Sequence, residues 1–222
     1  MKKWETHCHT SDIDPVSRLS PIEMVNAYKE KGYSGIVITN HYFKELYEWY
    51  PELREQDKSV FLDKYLFGYR QAKEYGQKIG MQVLLGAEVR FDGFIDDFLI
   101  YGITEDFIRS APLLNELNLD ELRNILPKEA VIFQAHPFRN RMEITDPKKL
   151  FGVEVYNGRT AGDRNKIAQI WAETENLKMI SGSDCHTPDD VAKGGICVSD
   201  DILCEQDFAR LLISCNYTLI LT

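Results

Sequence analysis

Short β-rich runs alternate with helical patterns along nearly the whole chain of 222 residues. Each run is rich in apolar and β-branched residues and is bounded by polar or turn-forming ones, which is typical of a buried strand. Strands are therefore predicted at residues 4–10, 34–39, 81–88, 97–103, 130–136, 152–157, 178–183 and 217–221. This alternation predicts an α/β fold with a largely parallel sheet. About seven repeats predict closure into a distorted, TIM-like (β/α)7 barrel.

The first helix has a clear start and stop in the sequence. Ser20 is a suitable N-cap, Pro21 suits the first helical position, and Glu23 completes a capping box. Gly32 is a suitable residue just past the helix end. Further helices are predicted at residues 47–79, with a break near Pro51, and at 119–126 and 162–176. No repeat or linker interrupts this pattern, so a single domain spanning residues 1–222 is expected.

Charge and cysteine content limit the classes of function. The net charge is −9, so the surface as a whole should repel nucleic-acid phosphate and anionic membranes, although a local basic patch could still bind a phosphate. The N-terminal residues have no apolar core of a signal peptide, and no apolar run is long enough to span a membrane. Five cysteines, without a CxxC pair, favour reduced thiols and a cytoplasmic protein.

All five histidines fall at the C-terminal end of a predicted strand or just beyond it: His7, His9, His41, His136 and His186. Glu88 also ends a predicted strand, and Asp184 lies two residues before His186. In a β/α barrel, these strand ends meet at one rim. A single histidine is most often an ordinary surface or core residue, but five at strand ends predict a metal cluster. Imidazole and carboxylate together suit Zn, Mn or Fe.

The alternation of side chains along a strand separates ligands from their neighbours. His7 and His9 are two residues apart and share a face, whereas Cys8 points to the opposite face. The segment Asp184–His186 repeats this pattern around Cys185. Both cysteines are therefore predicted to face the surrounding helices as small buried apolar residues and not to bind metal.

Five features in this order resemble the PHP (polymerase and histidinol phosphatase) superfamily. They are an HxH motif near the N-terminus, a histidine after the second strand, a glutamate ending the third, an AHP motif and a late DxH motif. The resemblance extends from His7 to His186 and so covers most of the chain. It implies a distorted (β/α)7 barrel in which two or three divalent metal ions take part in the hydrolysis of phosphate esters.

The resemblance implies three metal positions. The first would be bound by four residues: His7, His9, Glu88 and Asp184. Glu88 would also bind a second metal, together with His136. Members with three metals carry a further histidine on the strand after the glutamate, where this chain has none. Asp97 or Asp96 is a candidate substitute, and the number of metals, two or three, is left open.

The third metal position would be bound by His41 and His186, with an acidic ligand from the loop after the HxH motif. Counting forward from His9 places that ligand at Asp14. The loop is longer here than in the family pattern, so Asp12 is a rival. Asn40 stands before His41 where the family often has an aspartate, and its amide can still hydrogen-bond to the site.

The resemblance also implies a mechanism. A metal-bound hydroxide held near Glu88, His136 and Asp184 would attack phosphorus in line. Because a guanidinium pairs with phosphate through two hydrogen bonds, arginines on the strand-end loops are candidates to bind the phosphoryl group. The candidates are Arg18, Arg139 and Arg159, and the alternative is that they are ordinary exposed loop residues.

A small phosphorylated substrate is the favoured partner, and the expected activity is that of a histidinol-phosphatase-like phosphomonoesterase. Acidity and the lack of an obvious second domain disfavour nucleic acid as a general partner. The alternatives are a phosphodiesterase or exonuclease acting on nucleotides or nucleic-acid ends, and a degenerate, non-catalytic metal-binding module. The aromatic segment 40–53 is interpreted as helix packing on the rim in preference to a lid over the substrate.

Overall fold

A computed structural model describes residues 1–222 and contains eleven strands and seven α-helices. The strands are β1 (Lys2–Cys8), β2 (Tyr33–Ile38), β3 (His41–Tyr42), β4 (Gln82–Leu85), β5 (Ala87–Arg90), β6 (Asp97–Tyr101), β7 (Val131–Gln134), β8 (Gly152–Asn157), β9 (Lys178–Gly182), β10 (Ile196–Val198) and β11 (Tyr217–Leu219). The helices are α1 (Pro21–Glu30), α2 (Leu46–Trp49), α3 (Lys58–Ile79), α4 (Glu105–Ser110), α5 (Leu119–Ile125), α6 (Arg164–Glu175) and α7 (Glu205–Ser214). None of these helices combines the length and the apolar character needed to cross a bilayer.

The strands form two hydrogen-bonded sheets, in the orders β11-β10-β1-β2-β4 and β3-β5-β6-β7-β8-β9. Pairing is parallel from β1 through β2 to β4 and from β7 through β8 to β9. It is antiparallel on both sides of β6 and along β10. The α/β class is confirmed, whereas the ladders do not close into the single (β/α)7 barrel that the sequence predicts.

The chain crosses from one sheet to the other at Gly86. The predicted strand 81–88 is in fact two strands, β4 in the first sheet and β5 in the second. A Cβ atom at Gly86 would lie 2.9 Å from Thr39 Cγ2 and 3.1 Å from the main-chain oxygen of Ile100. A glycine therefore allows the backbone to pass closely between β2 and β6, which explains why one apolar run serves two sheets.

Helix α1 begins with the predicted capping box. Ser20 Oγ accepts a hydrogen bond from the Glu23 N–H at 3.3 Å, and Glu23 Oε2 accepts one from the Ser20 N–H at 2.8 Å. Past the helix end, Gly32 has a φ of 75°, in the left-handed region that glycine adopts readily. The start and stop signals read from the sequence are confirmed.

The largest apolar core lies between the sheets and helices α1 and α3, and it includes Cys8 and Cys185, both fully buried. Cys8 Sγ points toward the main-chain oxygen of Val37 at 3.4 Å. No element is predicted from the sequence at β3, β10, α4 or α7. β3, β10 and α4 are short and carry too few periods of an apolar pattern to be recognised, whereas α7 has ten residues, as many as α1, and was overlooked.

Candidate metal centre

The predicted ligands converge into one cluster at the ends of strands from both sheets. Seven of them are buried: His7, His9, Asp14, Glu88, His136, Asp184 and His186. The eighth, His41, has a side chain that is only 12% exposed. The residues come from β1, β3, β5, and the loops after β1, β7 and β9, so the fold brings together groups separated by almost two hundred positions in the sequence.

Four ligand atoms define the first metal position. His7 Nε2 lies 3.3 Å from Glu88 Oε2 and 3.5 Å from Asp184 Oδ1. His9 Nε2 lies 3.3 Å and 3.4 Å from the same two oxygen atoms. Atoms bound to one tetrahedral metal at about 2.0–2.2 Å are separated by about 3.4 Å, so the spacing suits a single cation.

Several of these atoms are buried without a hydrogen-bond partner, namely His7 Nε2, His9 Nε2 and Glu88 Oε2. A buried polar atom left unpaired costs about 1–3 kcal/mol, so a folded protein rarely gathers several of them in one place. A divalent cation would satisfy all of them together. The residues present therefore fit a metal ion.

The second metal position is formed around Glu88, which presents its other oxygen there. Glu88 Oε1 lies 3.0 Å from His136 Nε2, and Asp97 Oδ2 lies 3.8 Å from the same nitrogen. Glu88, Asp97 and His136 each offer a ligand atom, and these three atoms all lie within 4.8 Å of one another. Asp96 instead accepts a hydrogen bond from the Glu143 N–H. The structure therefore brings Asp97, and not Asp96, to the position where the family pattern has a histidine.

The third metal position is centred on Asp14. Asp14 Oδ2 lies 2.8 Å from His41 Nδ1, 3.4 Å from His186 Nε2 and 3.8 Å from His9 Nδ1. The other oxygen of Asp14 accepts a hydrogen bond from the Val16 N–H at 3.1 Å, which fixes the orientation of the carboxylate. The side chains of Asp14, His9, His41 and His186 could therefore bind one metal ion together.

The rival residue Asp12 faces helix α3. Its carboxylate lies against Gly68, where any side chain would overlap it. The main-chain oxygen of Asp12 accepts hydrogen bonds from Tyr50 OH and Lys64 Nζ, both at 3.4 Å. Because Asp12 anchors its loop to α3, the geometry favours Asp14 as the third acidic ligand.

The electrostatic environment keeps two of the ligands, His9 and Glu88, in the forms that bind metal. For His7 and His41, burial favours the neutral imidazole, but neighbouring carboxylates raise the pKa above its usual value. Burial, together with His41 and His186, lowers the pKa of His9 to about 3, so its imidazole is neutral and offers one nitrogen lone pair. Burial alone would raise the pKa of Glu88, but neighbouring imidazoles, His7 foremost, hold it well below its usual value. A neutral imidazole and an ionised carboxylate are the forms that bind divalent metals.

Two of the ligands have a strained backbone. His136 has a φ of 28° and Asp184 a φ of 53°, in the left-handed region that non-glycine residues rarely adopt. Such conformations cost about 1–3 kcal/mol and persist where surrounding contacts hold them, most often at functional sites. Here the His136 N–H donates to Glu154 Oε2 at 3.0 Å.

Two of the candidate arginines contact ligands directly. Arg139 Nη2 donates to Asp184 Oδ2 and, at 2.9 Å, to Asn157 Oδ1. Arg159 Nη1 lies 2.8 Å from His186 Nδ1, and its side chain is 39% exposed. Arg139 is therefore placed to orient Asp184, while Arg159 lies at the open edge of the site.

The third candidate, Arg18, is exposed beside the site. Its main-chain N–H donates to the oxygen of His186 at 2.7 Å, which holds its loop against the third metal position. Its side chain makes no hydrogen bond and no ion pair in the structure. Its guanidinium is therefore not engaged by another protein group and is available to an anionic ligand.

Arg90 is not among the site residues predicted from the sequence. Its guanidinium pairs with both oxygens of Asp97, at 2.8 Å and 3.0 Å. It also lies 4.2 Å from the centre of the Phe43 ring, which stacks on His41 at a centroid distance of 4.4 Å. Arg90 is two residues after Glu88 on the same strand face, and this spacing was the signal that could have identified it.

Comparisons with known proteins support this fold. A family model described as PHP-associated matches residues 162–214. No curated protein matches the chain. Three solved structures are similar over nearly all of it, at low sequence identity.

The first contains a predicted PHP-like metal-dependent phosphoesterase in a two-domain protein from Bacteroides vulgatus, with a TM-score of 0.67 and 17% identity. The match covers 99% of this chain and 64% of that protein, so this chain spans less than two thirds of its length. PsfC from Pseudomonas syringae has a TM-score of 0.70 and 15% identity over 100% of this chain and 91% of its own. A proposed metal-dependent phosphoesterase from Bifidobacterium adolescentis has a TM-score of 0.52 and 16% identity, with 95% of each chain covered.

The structural similarities establish the fold, and the matched family model lies in the segment that carries His186 and Asp184. The order of histidines and acidic residues along the chain is that of the family pattern described above. The family model covers about a quarter of the chain, and together with the fold and the ordered histidine and carboxylate set it supports a relationship to the PHP superfamily.

Proposed function

We propose that this protein is a metal-dependent hydrolase of phosphate esters. The observation that carries the proposal is the first metal position. There, the Nε2 atoms of His7 and His9 each lie 3.3–3.5 Å from a carboxylate oxygen of Glu88 and one of Asp184. A phosphate ester is favoured as the substrate because one structurally similar protein is a predicted, and another a proposed, metal-dependent phosphoesterase.

The residues divide into three binding groups around Glu88. One metal would be held by His7, His9, Glu88 and Asp184. A second would be held by Glu88, His136 and Asp97. A third would be held by Asp14, His41 and His186. Zinc, manganese or iron ions bound there would act as Lewis acids and lower the pKa of a bound water toward neutrality.

The surrounding side chains have roles of their own. Arg139 donates to Asp184 and so keeps that carboxylate in its orientation. Arg18 and Arg159, at the edge of the site, would bind phosphoryl oxygens and stabilise the negative charge that increases on them during hydrolysis. The stacked rings of His41 and Phe43 form a wall of the site beside Arg90.

We infer that the substrate is a small phosphomonoester of the histidinol phosphate type, handled by a single domain of residues 1–222. The net charge of −9 opposes a broad nucleic-acid surface. All five cysteines are free, which supports the expectation of a reducing, cytoplasmic setting.

The test combines metal analysis with two model esters. Purified protein is loaded with Zn²⁺, Mn²⁺ or Fe²⁺, its metal content is measured by mass spectrometry, and release of nitrophenol is followed from p-nitrophenyl phosphate and bis-p-nitrophenyl phosphate. Faster hydrolysis of the monoester is expected. Preference for the diester would support the phosphodiesterase or exonuclease alternative, and metal binding without turnover would support the non-catalytic module.

A matched pair of variants links any activity to the site. Asp184→Asn removes a carboxylate ligand and should abolish turnover, since a loss of 10²-fold or more is usual for a group that holds the reacting centre. Asp189→Asn removes an exposed carboxylate five positions later and should leave turnover unchanged. Equal activity in both variants would show that the observed hydrolysis arises elsewhere.

A further inference from the structure

Glu154 is a buried acid beside the metal centre, in the middle of strand β8. It is 1% exposed, and its neighbours Val153 and Val155 pack in a separate cluster with Ala172 of α6. Alternation along the strand therefore turns Glu154 toward the interior of the molecule, on the side of the ligands. An ionised group in this place requires partners, and it has three.

The two carboxylate oxygens of Glu154 accept from three donors. Oε1 lies 2.9 Å from His7 Nδ1. Oε2 accepts from the His136 main-chain N–H at 3.0 Å and from Asn157 Nδ2 at 2.9 Å. His7 belongs to the first metal position and His136 to the second, so one carboxylate contacts ligands of both.

We propose that Glu154 is a positioning residue that holds His7 and His136 in the orientations needed to bind two different metal ions. The proposal rests on the proposed function, since it assumes that both histidines bind metal. For His7, Nε2 faces Glu88 and Asp184 and must offer a lone pair, which requires the proton on Nδ1. Glu154 accepts from that nitrogen and selects this tautomer, because a carboxylate has no proton to donate.

For His136, Glu154 acts through the backbone. The left-handed φ of 28° at His136 needs compensation, and the hydrogen bond from its N–H to Glu154 supplies a buried partner within that strained turn. The same carboxylate oxygen also holds Asn157, whose Oδ1 accepts from Arg139. A single chain of contacts thus extends from Glu154 to the arginine that orients Asp184.

A glutamine cannot replace Glu154 without loss. All three partners, His7 Nδ1–H, the His136 N–H and Asn157 Nδ2, are donors, and they approach both oxygens. A glutamine has one oxygen and one NH2 group, so either orientation places two donors against each other in a buried site. The stereochemistry of the network therefore requires an acceptor at both terminal atoms.

The backbone beside Glu154 leaves room for this contact. A Cβ atom at Gly182 on β9 would lie 2.5 Å from His7 Cβ and 2.8 Å from Glu154 Oε1. Any larger residue would push the histidine and the carboxylate apart. The absence of a side chain at residue 182 is thus part of how the pair is accommodated.

The test uses Co²⁺ alone, so it does not depend on catalysis. Protein stripped with a chelator is titrated with Co²⁺, and the visible absorption of the bound ion reports both affinity and coordination. Glu154→Gln is expected to lower the Co²⁺ affinity about 10- to 100-fold and to alter the spectrum. Glu205→Gln removes a carboxylate that is also buried but contacts Tyr69 and Leu85 instead, and it should match the wild type within about twofold.

The possible outcomes separate the two proposals. Circular dichroism establishes whether the variant folds. If Glu154→Gln is unfolded, Glu154→Asp is tested in its place, because it keeps the charge but has a shorter side chain. A smaller loss of Co²⁺ affinity is then expected. A folded variant with the affinity and spectrum of the wild type would overturn the role of Glu154. Failure of the wild-type protein to bind Co²⁺ would overturn the proposed function and this role with it.

Discussion

The backbones of Cys8 and Cys185 pair in parallel at the junction of the two sheets. Hydrogen bonds from the His9 N–H to the Cys185 oxygen, at 3.0 Å, and from the Cys185 N–H to the His7 oxygen, at 3.2 Å, support this pairing. Each cysteine lies between two predicted ligands in sequence and points away from them in space. The junction therefore aligns the HCH and DCH segments while their thiols fill the apolar core.

Cys8→Ala should weaken the fold and leave metal binding intact. The thiol is fully buried in the core, so its loss is expected to cost about 1 kcal/mol of unfolding free energy. Urea denaturation measures this cost, and mass spectrometry measures the bound metal. His9→Ala is the comparison, since it removes a ligand on the neighbouring position and should lower metal content. Loss of metal in Cys8→Ala would contradict the assignment of strand faces.

Local periodicity explains what the sequence could predict about the site. His7, His9 and Glu88 were identified because a strand end and a two-residue repeat are visible within a few positions. The roles of Glu154 and Arg139 could not be predicted in the same way. Glu154 is a single polar residue in an apolar strand. Its partner His136 is brought close by the pairing of β8 with β7, and His7 by the pairing of β8 with β9 together with the backbone pairing between Cys8 and Cys185.

The fold shows the same limit. The strands and the capping box of α1 follow from patterns within one segment, whereas the break at Gly86 depends on how closely Thr39 and Ile100 approach it. A continuous apolar run gives no sign that its two halves pair with different sheets. The antiparallel β10 and β11 are similarly set by their contact with β1 and with each other.

Asp14→Asn and Asp12→Asn should separate the two acidic residues of the first loop. Asp14 Oδ2 is 2.8 Å from His41 Nδ1, so Asp14→Asn removes the charge from the third metal position and should lower the metal content there. Asp12 faces Gly68 of α3, and Asp12→Asn should keep the full metal content. Metal per protein is measured after dialysis against a limiting concentration of Zn²⁺. The reverse pattern would assign Asp12 as the ligand.

Removal of metal should destabilise the protein. Without a cation, the unpaired ligand atoms of His7, His9 and Glu88 have no compensation for burial. A metal present at 100 times its dissociation constant stabilises the fold by about 2.7 kcal/mol. A chelator should therefore lower Tm by roughly 5–10 °C for a domain of this size, as measured by scanning calorimetry. Recovery after addition of Zn²⁺ or Mn²⁺ is expected, and a Tm insensitive to the chelator would argue against a bound metal.

The three arginines at the rim should differ in what they affect. The Arg18 main chain contacts His186 and its side chain has no partner, so Arg18→Met should raise KM for p-nitrophenyl phosphate several-fold, by loss of about 1 kcal/mol of binding, at unchanged metal content. Arg159→Met should behave similarly, because its side chain is 39% exposed at the edge of the site. Arg139→Met should instead lower metal affinity, since Arg139 donates to Asp184.

Arg123→Met is the matched control for these arginines. Arg123 pairs with Asp120 within helix α5, so its loss should change neither KM nor metal content. Steady-state kinetics with p-nitrophenyl phosphate and mass spectrometry of the loaded proteins give the two quantities for each variant. If Arg139→Met raised KM at full metal content, Arg139 would contact the phosphate, as the sequence first predicted, and its bond to Asp184 would be incidental to metal binding.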